Sequence, residues 1–73
     1  MSKEIHIGKL IRNKLNEEGR SPTWLAGKIP CTKKYIYKIL EKSDIHPKQL
    51  QRISIVMKFD FFAYYSETVR NEI

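Results

Sequence analysis

Ser21-Pro22-Thr23-Trp24-Leu25-Ala26-Gly27-Lys28-Ile29-Pro30-Cys31-Thr32-Lys33-Lys34-Tyr35-Ile36-Tyr37-Lys38-Ile39-Leu40-Glu41-Lys42 holds two short helices and the turn between them. Ser21 offers a capping oxygen, and Pro22 falls at the first helical position, where its missing N–H costs nothing because that donor has no partner inside the helix. Pro30 ends this helix in two ways: it cannot donate to the ladder, and it pushes Ile29 out of the α region. The helix therefore runs from Pro22 to about Ile29. Thr32 is the next capping residue, and the run after it contains no breaker before Ser43-Asp44. Two helices joined by so tight a turn form a helix-turn-helix when a small residue sits where the backbones approach and apolar residues pin both helices to a core. Ala26 is that small residue, and Leu25, Ile29, Ile36, Ile39 and Leu40 are the pins.

Upstream, Ile7, Leu10, Ile11 and Leu15 recur at helical spacing, and Gly19 stands where a left-handed cap ends a helix. Downstream, His46 is a mediocre cap and Pro47 opens a fourth helix, whose inward face is Leu50, Ile53, Val56 and Met57. Asp60 can cap a short fifth helix beginning with Phe61 and Phe62, while the stretch 66–73 carries little apolar signal and is expected to fray. With no internal repeat, low-complexity tract or linker, the pattern predicts one all-α domain over 1–73, a bundle of about five short helices with its core within 5–65.

The 73 residues suffice for one domain with a thin core, since a chain this small buries only about 60% of the surface it exposes unfolded. A hydrophobic content of 41% and a charged content of 30% fit a globular protein. The apolar runs fall well short of the roughly 18 to 20 residues that span a bilayer. The N-terminus has neither a continuous apolar stretch nor a small-residue cleavage site, which predicts a cytoplasmic protein. The single cysteine, Cys31, excludes an intrachain disulfide and agrees with a reducing compartment. Cys31, His6 and His46 make no recognised metal-ligand spacing, so no metal is expected. There is no carboxylate pair, no nucleophile with a neighbouring base and no glycine-rich phosphate loop, Gly8, Gly19 and Gly27 being scattered; neither catalysis nor a cofactor is expected.

The net charge is +6, unevenly spread: residues 1–58 carry +8 and residues 59–73 carry −2. On a wheel of about 100° per residue with Ile36 at zero, Ile39 falls near −60° and Leu40 near +40°, so the buried face centres close to Ile36. Lys34 and Lys38 fall opposite, Tyr35 and Tyr37 flank them, and Lys33 stands at the N-terminal flank. One tyrosine is expected to cover the domain edge while the other, with a preference for Tyr37, faces outward. Trp24 is expected to pack in the core against the first or fourth helix. Lysine donates to guanine O6 and N7 and neutralises phosphate, and tyrosine bonds phosphate or touches a thymine methyl. A lysine face without an acid before Glu41 therefore suits double-stranded DNA.

The stretch 21–42 resembles the helix-turn-helix of the lambda-repressor-like, XRE/Cro-type regulators, and the resemblance extends over the first helix, Ala26 and the start of the fourth helix near Pro47. It implies a lambda-repressor-like DNA-binding domain in which the second helix of the motif enters the major groove. Base-reading positions carry over to Thr32, Lys33, Lys34, Tyr37 and Lys38, and phosphate-contacting positions to Ser21, Pro22, Thr23, Lys42 and Ser43. The family often has Gln at the place of Pro22 and favours Gly at the turn position held by Pro30. Because that turn residue usually takes positive φ and proline is locked near −65°, the turn here is expected to differ, with Cys31 absorbing the change of direction. The aromatic cluster Phe59, Phe61, Phe62, Tyr64 and Tyr65 looks too rich for one short helix to bury and is expected to be partly exposed as a homodimer interface. The expected function is a sequence-specific transcriptional regulator, a repressor occupying an operator. The alternative is an antitoxin-like or adaptor module using the helical face and the aromatic end; a single-stranded RNA binder would need stacking platforms this sequence does not suggest.

Overall fold

Five α-helices account for the regular structure of residues 5–73, the part of the chain that the computed structural model describes: α1 Ile7–Glu17, α2 Pro22–Lys28, α3 Lys33–Leu40, α4 Pro47–Met57 and α5 Phe62–Glu72. Side chains start four of them by accepting otherwise unpaired N–H groups. Ser21 Oγ accepts from Trp24 N at 3.3 Å, and Thr32 Oγ1 from Tyr35 N at 3.1 Å. Histidines serve α1 and α4, with His6 Nδ1 accepting from Lys9 N at 3.1 Å and His46 Nδ1 from Lys48 N at 3.2 Å. Asp60 Oδ1 accepts from Phe62 N at 3.0 Å, just ahead of α5.

The helix ends follow from backbone constraints. Gly19 closes α1 at φ +67°, where its N–H donates to Asn16 O and that of Arg20 to Leu15 O, the paired bonds of a Schellman cap. Ile29 is extended at φ −105° and ψ 111°, the conformation Pro30 imposes on its predecessor. The same Schellman geometry closes α4, but its left-handed position is held by Lys58 at φ 52°, with Lys58 N donating to Ile55 O and Phe59 N to Ser54 O. α3 stops at Leu40, short of the Ser43-Asp44 breaker. There the carbonyls of Lys42 and Ser43 turn to α1, accepting from Gly8 N at 3.1 Å and Ile7 N at 3.0 Å.

The core lies among Ile7, Ile11 and Leu15 of α1, Leu25 and Ala26 of α2, Ile36, Ile39 and Leu40 of α3, and Leu50, Ile53 and Met57 of α4, closed by Ile29 and Phe61. All five expected pins of the helix pair are buried, whereas Leu10 and Val56, expected on inward faces, are half-buried at its margin. The aromatic end is partly exposed, as composition suggests, with one correction. Phe61 is 0% exposed and so belongs to the core, unavailable to any partner. Phe59, Phe62, Tyr64 and Tyr65 are half-buried and packed on that core. The reason is the corner after α4: Ser54 Oγ accepts from Phe61 N at 3.4 Å, and the Phe59 ring meets Phe61 edge-on at 4.8 Å, so the chain folds back with Phe61 in the core. Helix α5 continues to Glu72 where a frayed tail was expected; Val69 within it and Ile73 after it are exposed. No helix among the described residues is long and apolar enough to cross a membrane.

Two glycines give opposite predictions. A Cβ on Gly8 would collide with the carbonyl oxygen of Leu40 and lie 2.6 Å from that of Lys42, whereas one on Gly27 would meet nothing within 4 Å. Gly8→Ala is expected to lower stability by about 2–3 kcal/mol because backbone has to move, and Gly27→Ala to raise it by about 0.5–1 kcal/mol through helix propensity. Thermal melts of the two variants should shift in opposite directions. Lys58→Gly removes the penalty of a side chain at left-handed φ and should raise stability by about 1 kcal/mol in a urea titration with unchanged slope.

Candidate nucleic-acid interface

The site is built on α3. Ile36, Ile39 and Leu40 are buried, which leaves Lys33, Lys34, Tyr35, Tyr37 and Lys38 on the solvent side of the helix. Thr32 is exposed at its start and accepts the Tyr35 N–H, which fixes the first turn while its hydroxyl hydrogen stays available to a ligand. The ion pairs among the described residues are Lys14–Glu17 and Arg20–Glu18, each at 3.7 Å, and neither reaches α3. Among the described residues, the three lysines of α3 therefore project their charge with no carboxylate within pairing distance, as phosphate recognition requires.

Both tyrosines project from the helix, Tyr35 48% and Tyr37 41% exposed, so neither serves as the edge cover expected of one of them. Tyr37 is instead held by a residue from another element: the Arg12 guanidinium of α1 lies 5.7 Å from its ring centroid. Arg12 thereby joins the cationic face of α3. No spacing along the chain signals this, because it depends on how α1 crosses α3.

The positions assigned to phosphate contact are also on the surface. Ser21, Thr23, Lys42 and Ser43 are exposed and Pro22 is half-buried. Ser21 caps α2 as Thr32 caps α3. The backbone at Lys42 and Ser43 is tied to the first turn of α1, so the loop following α3 has a fixed place beside the helix. Lysine ammoniums, two capping hydroxyls, two phenols and one guanidinium thus lie on or beside one helix pair, an array of donors suited to an extended polyanion.

Other singled-out residues have structural places. Trp24 is half-buried against the core as expected, with the Arg20 guanidinium 4.0 Å and the Lys28 ammonium 5.8 Å from its ring centroid. Burial pushes the Cys31 thiol up. Tyr65 is pushed up by burial and, secondarily, by the negative charge of Asp44. No cluster of His, Cys, Asp or Glu among the described residues is arranged to hold a metal ion. Comparison with protein-family models, with curated proteins and with solved structures finds no match for this chain.

Proposed function

We propose that this chain is a sequence-specific double-stranded DNA-binding protein of the lambda-repressor-like, XRE/Cro-type kind that regulates transcription by occupying an operator. The observation that carries the reading is the α3 surface: three exposed lysines and two exposed tyrosines with no carboxylate paired to them among the described residues, on a helix whose opposite side is buried. α3 would lie in the major groove, with Thr32, Lys33 and Lys34 at the base edges and Tyr37 and Lys38 one turn on. Ser21, Thr23, Lys42, Ser43 and, in addition, Arg12 would hold the flanking phosphates. An adaptor built on the same face would need apolar groups there, whereas α3 presents ammoniums and phenols.

Two half-sites one helical turn apart, about 34 Å, call for two copies of the chain. The outer side of α5 with exposed Val69, and exposed Ile73 just after the helix, is the surface we assign to that pairing in place of the buried Phe61.

The experiment is selection of bound sites from random duplex DNA, followed by gel-shift titration over a salt series. A symmetric motif is the expected result. The Lys33→Ala, Lys34→Ala, Lys38→Ala triple variant should bind the recovered site more weakly and flatten the log–log salt dependence by up to about three units. A triple variant that melts and binds like the parent would remove α3 from the interface.

A further inference from the structure

Ile55 is anomalous on α4. Leu50, Ile53 and Met57 of the same helix are buried, but Ile55 is 69% exposed, among exposed Gln51, Arg52 and Lys58. Two shallow concavities meet at it. One, of about 430 Å³, lies between the end of α2 and α4 and is lined by Lys28, Ile29, Pro30, Arg52, Ile55 and Val56. The other, of about 380 Å³, continues from Ile55 past Lys58 to Phe59 and Phe62 at the α4–α5 corner. No residue of α3 lines either one.

The charge around this apolar strip is mainly positive, three cations to one carboxylate. Lys28, Arg52 and Lys58 flank it, and none belongs to an ion pair among the described residues. The acid on the rim, Asp60, has an oxygen committed to the Phe62 N–H. Lys58 occupies a left-handed position that glycine would take without strain, so a cation is kept on this rim against a local backbone penalty.

We propose that this groove docks an acidic, amphipathic segment of a partner protein, whose apolar side chains cover Ile55, Val56 and Pro30 while its carboxylates reach Lys28, Arg52 and Lys58. An apolar centre within a charged, solvated rim is the anatomy of a protein interface, and the rim sets which partner fits. A second copy is the poorer occupant, because a two-fold contact places the same patch against itself and would bring these cations face to face. Duplex DNA could meet the cations but leaves the strip of Pro30, Ile55 and Val56 without a counterpart.

The test is panning of a phage-displayed random peptide library on the 73-residue chain, with Ile55→Asp as a parallel target. The expected result is enrichment of peptides that mix acidic with aliphatic or aromatic residues. A synthetic peptide from the enriched pool should bind the parent, lose at least tenfold in affinity on Ile55→Asp and on the Lys28→Glu, Arg52→Glu pair, and weaken as salt is raised. No enrichment of such peptides, or equal affinity for parent and Ile55→Asp, overturns the proposal. Sedimentation that finds a parent dimer and an Ile55→Asp monomer overturns it in favour of a second copy. Loss of duplex DNA binding by a normally melting Ile55→Asp overturns it in favour of nucleic acid. Should Ile55→Asp fail to fold, Ile55→Ser replaces it with the same expected loss.

Discussion

The contact on which the rest of the structure depends is a backbone junction between the start of α1 and the end of α3. The first N–H groups of a helix have no partner within their own ladder, and the loop that follows α3 offers carbonyls to those of α1. Here they satisfy each other, Ile7 and Gly8 donating to Ser43 and Lys42. The approach is so close that residue 8 has no room for a β-carbon. Once that junction is made, Ile7 and Ile11 lie in the core with Ile36, Ile39 and Leu40, and the opposite side of α3 has nowhere to go but solvent. The same junction brings Arg12 to Tyr37.

Proline chemistry sets the other half of the arrangement. Pro22 and Pro47 open helices at the position where a missing N–H is harmless, and Pro30 ends one by forcing Ile29 into extended backbone. The turn from α2 to α3 is therefore made without a left-handed residue: among the described residues positive φ is confined to Gly19 and Lys58. Ser21 and Thr32, one cap per helix of the pair, share their oxygens between the helix they start and the solvent they face.

With so few residues the interior depends on aliphatic side chains from four helices and one phenylalanine. The aromatic residues after α4 serve mainly to cover that interior, through the Phe59–Phe61 edge contact, the Lys14 ammonium 4.4 Å from the Phe59 ring centroid, and half-buried Phe62, Tyr64 and Tyr65. A composition argument counts rings and finds more than a small core should hold. It cannot foresee that a left-handed lysine and the Ser54 hydroxyl turn the chain so that one ring fills the centre and the others pack half-buried around it.

Helix order, most caps, the end of α2 at Pro30 and the lysine-bearing side of α3 were all legible from residues alone, because they depend on interactions between neighbours a few positions apart: a cap oxygen and the N–H it accepts, a ring and the preceding residue, apolar spacing on a wheel. Tertiary structure alone decided why residue 8 is glycine, that α3 stops at Leu40, that Arg12 stands over Tyr37, that Phe61 is core, and that Ile55 is left outside it. Each of these depends on the distance between elements remote in the chain, a quantity that local pattern does not contain and that is set only when the helices pack.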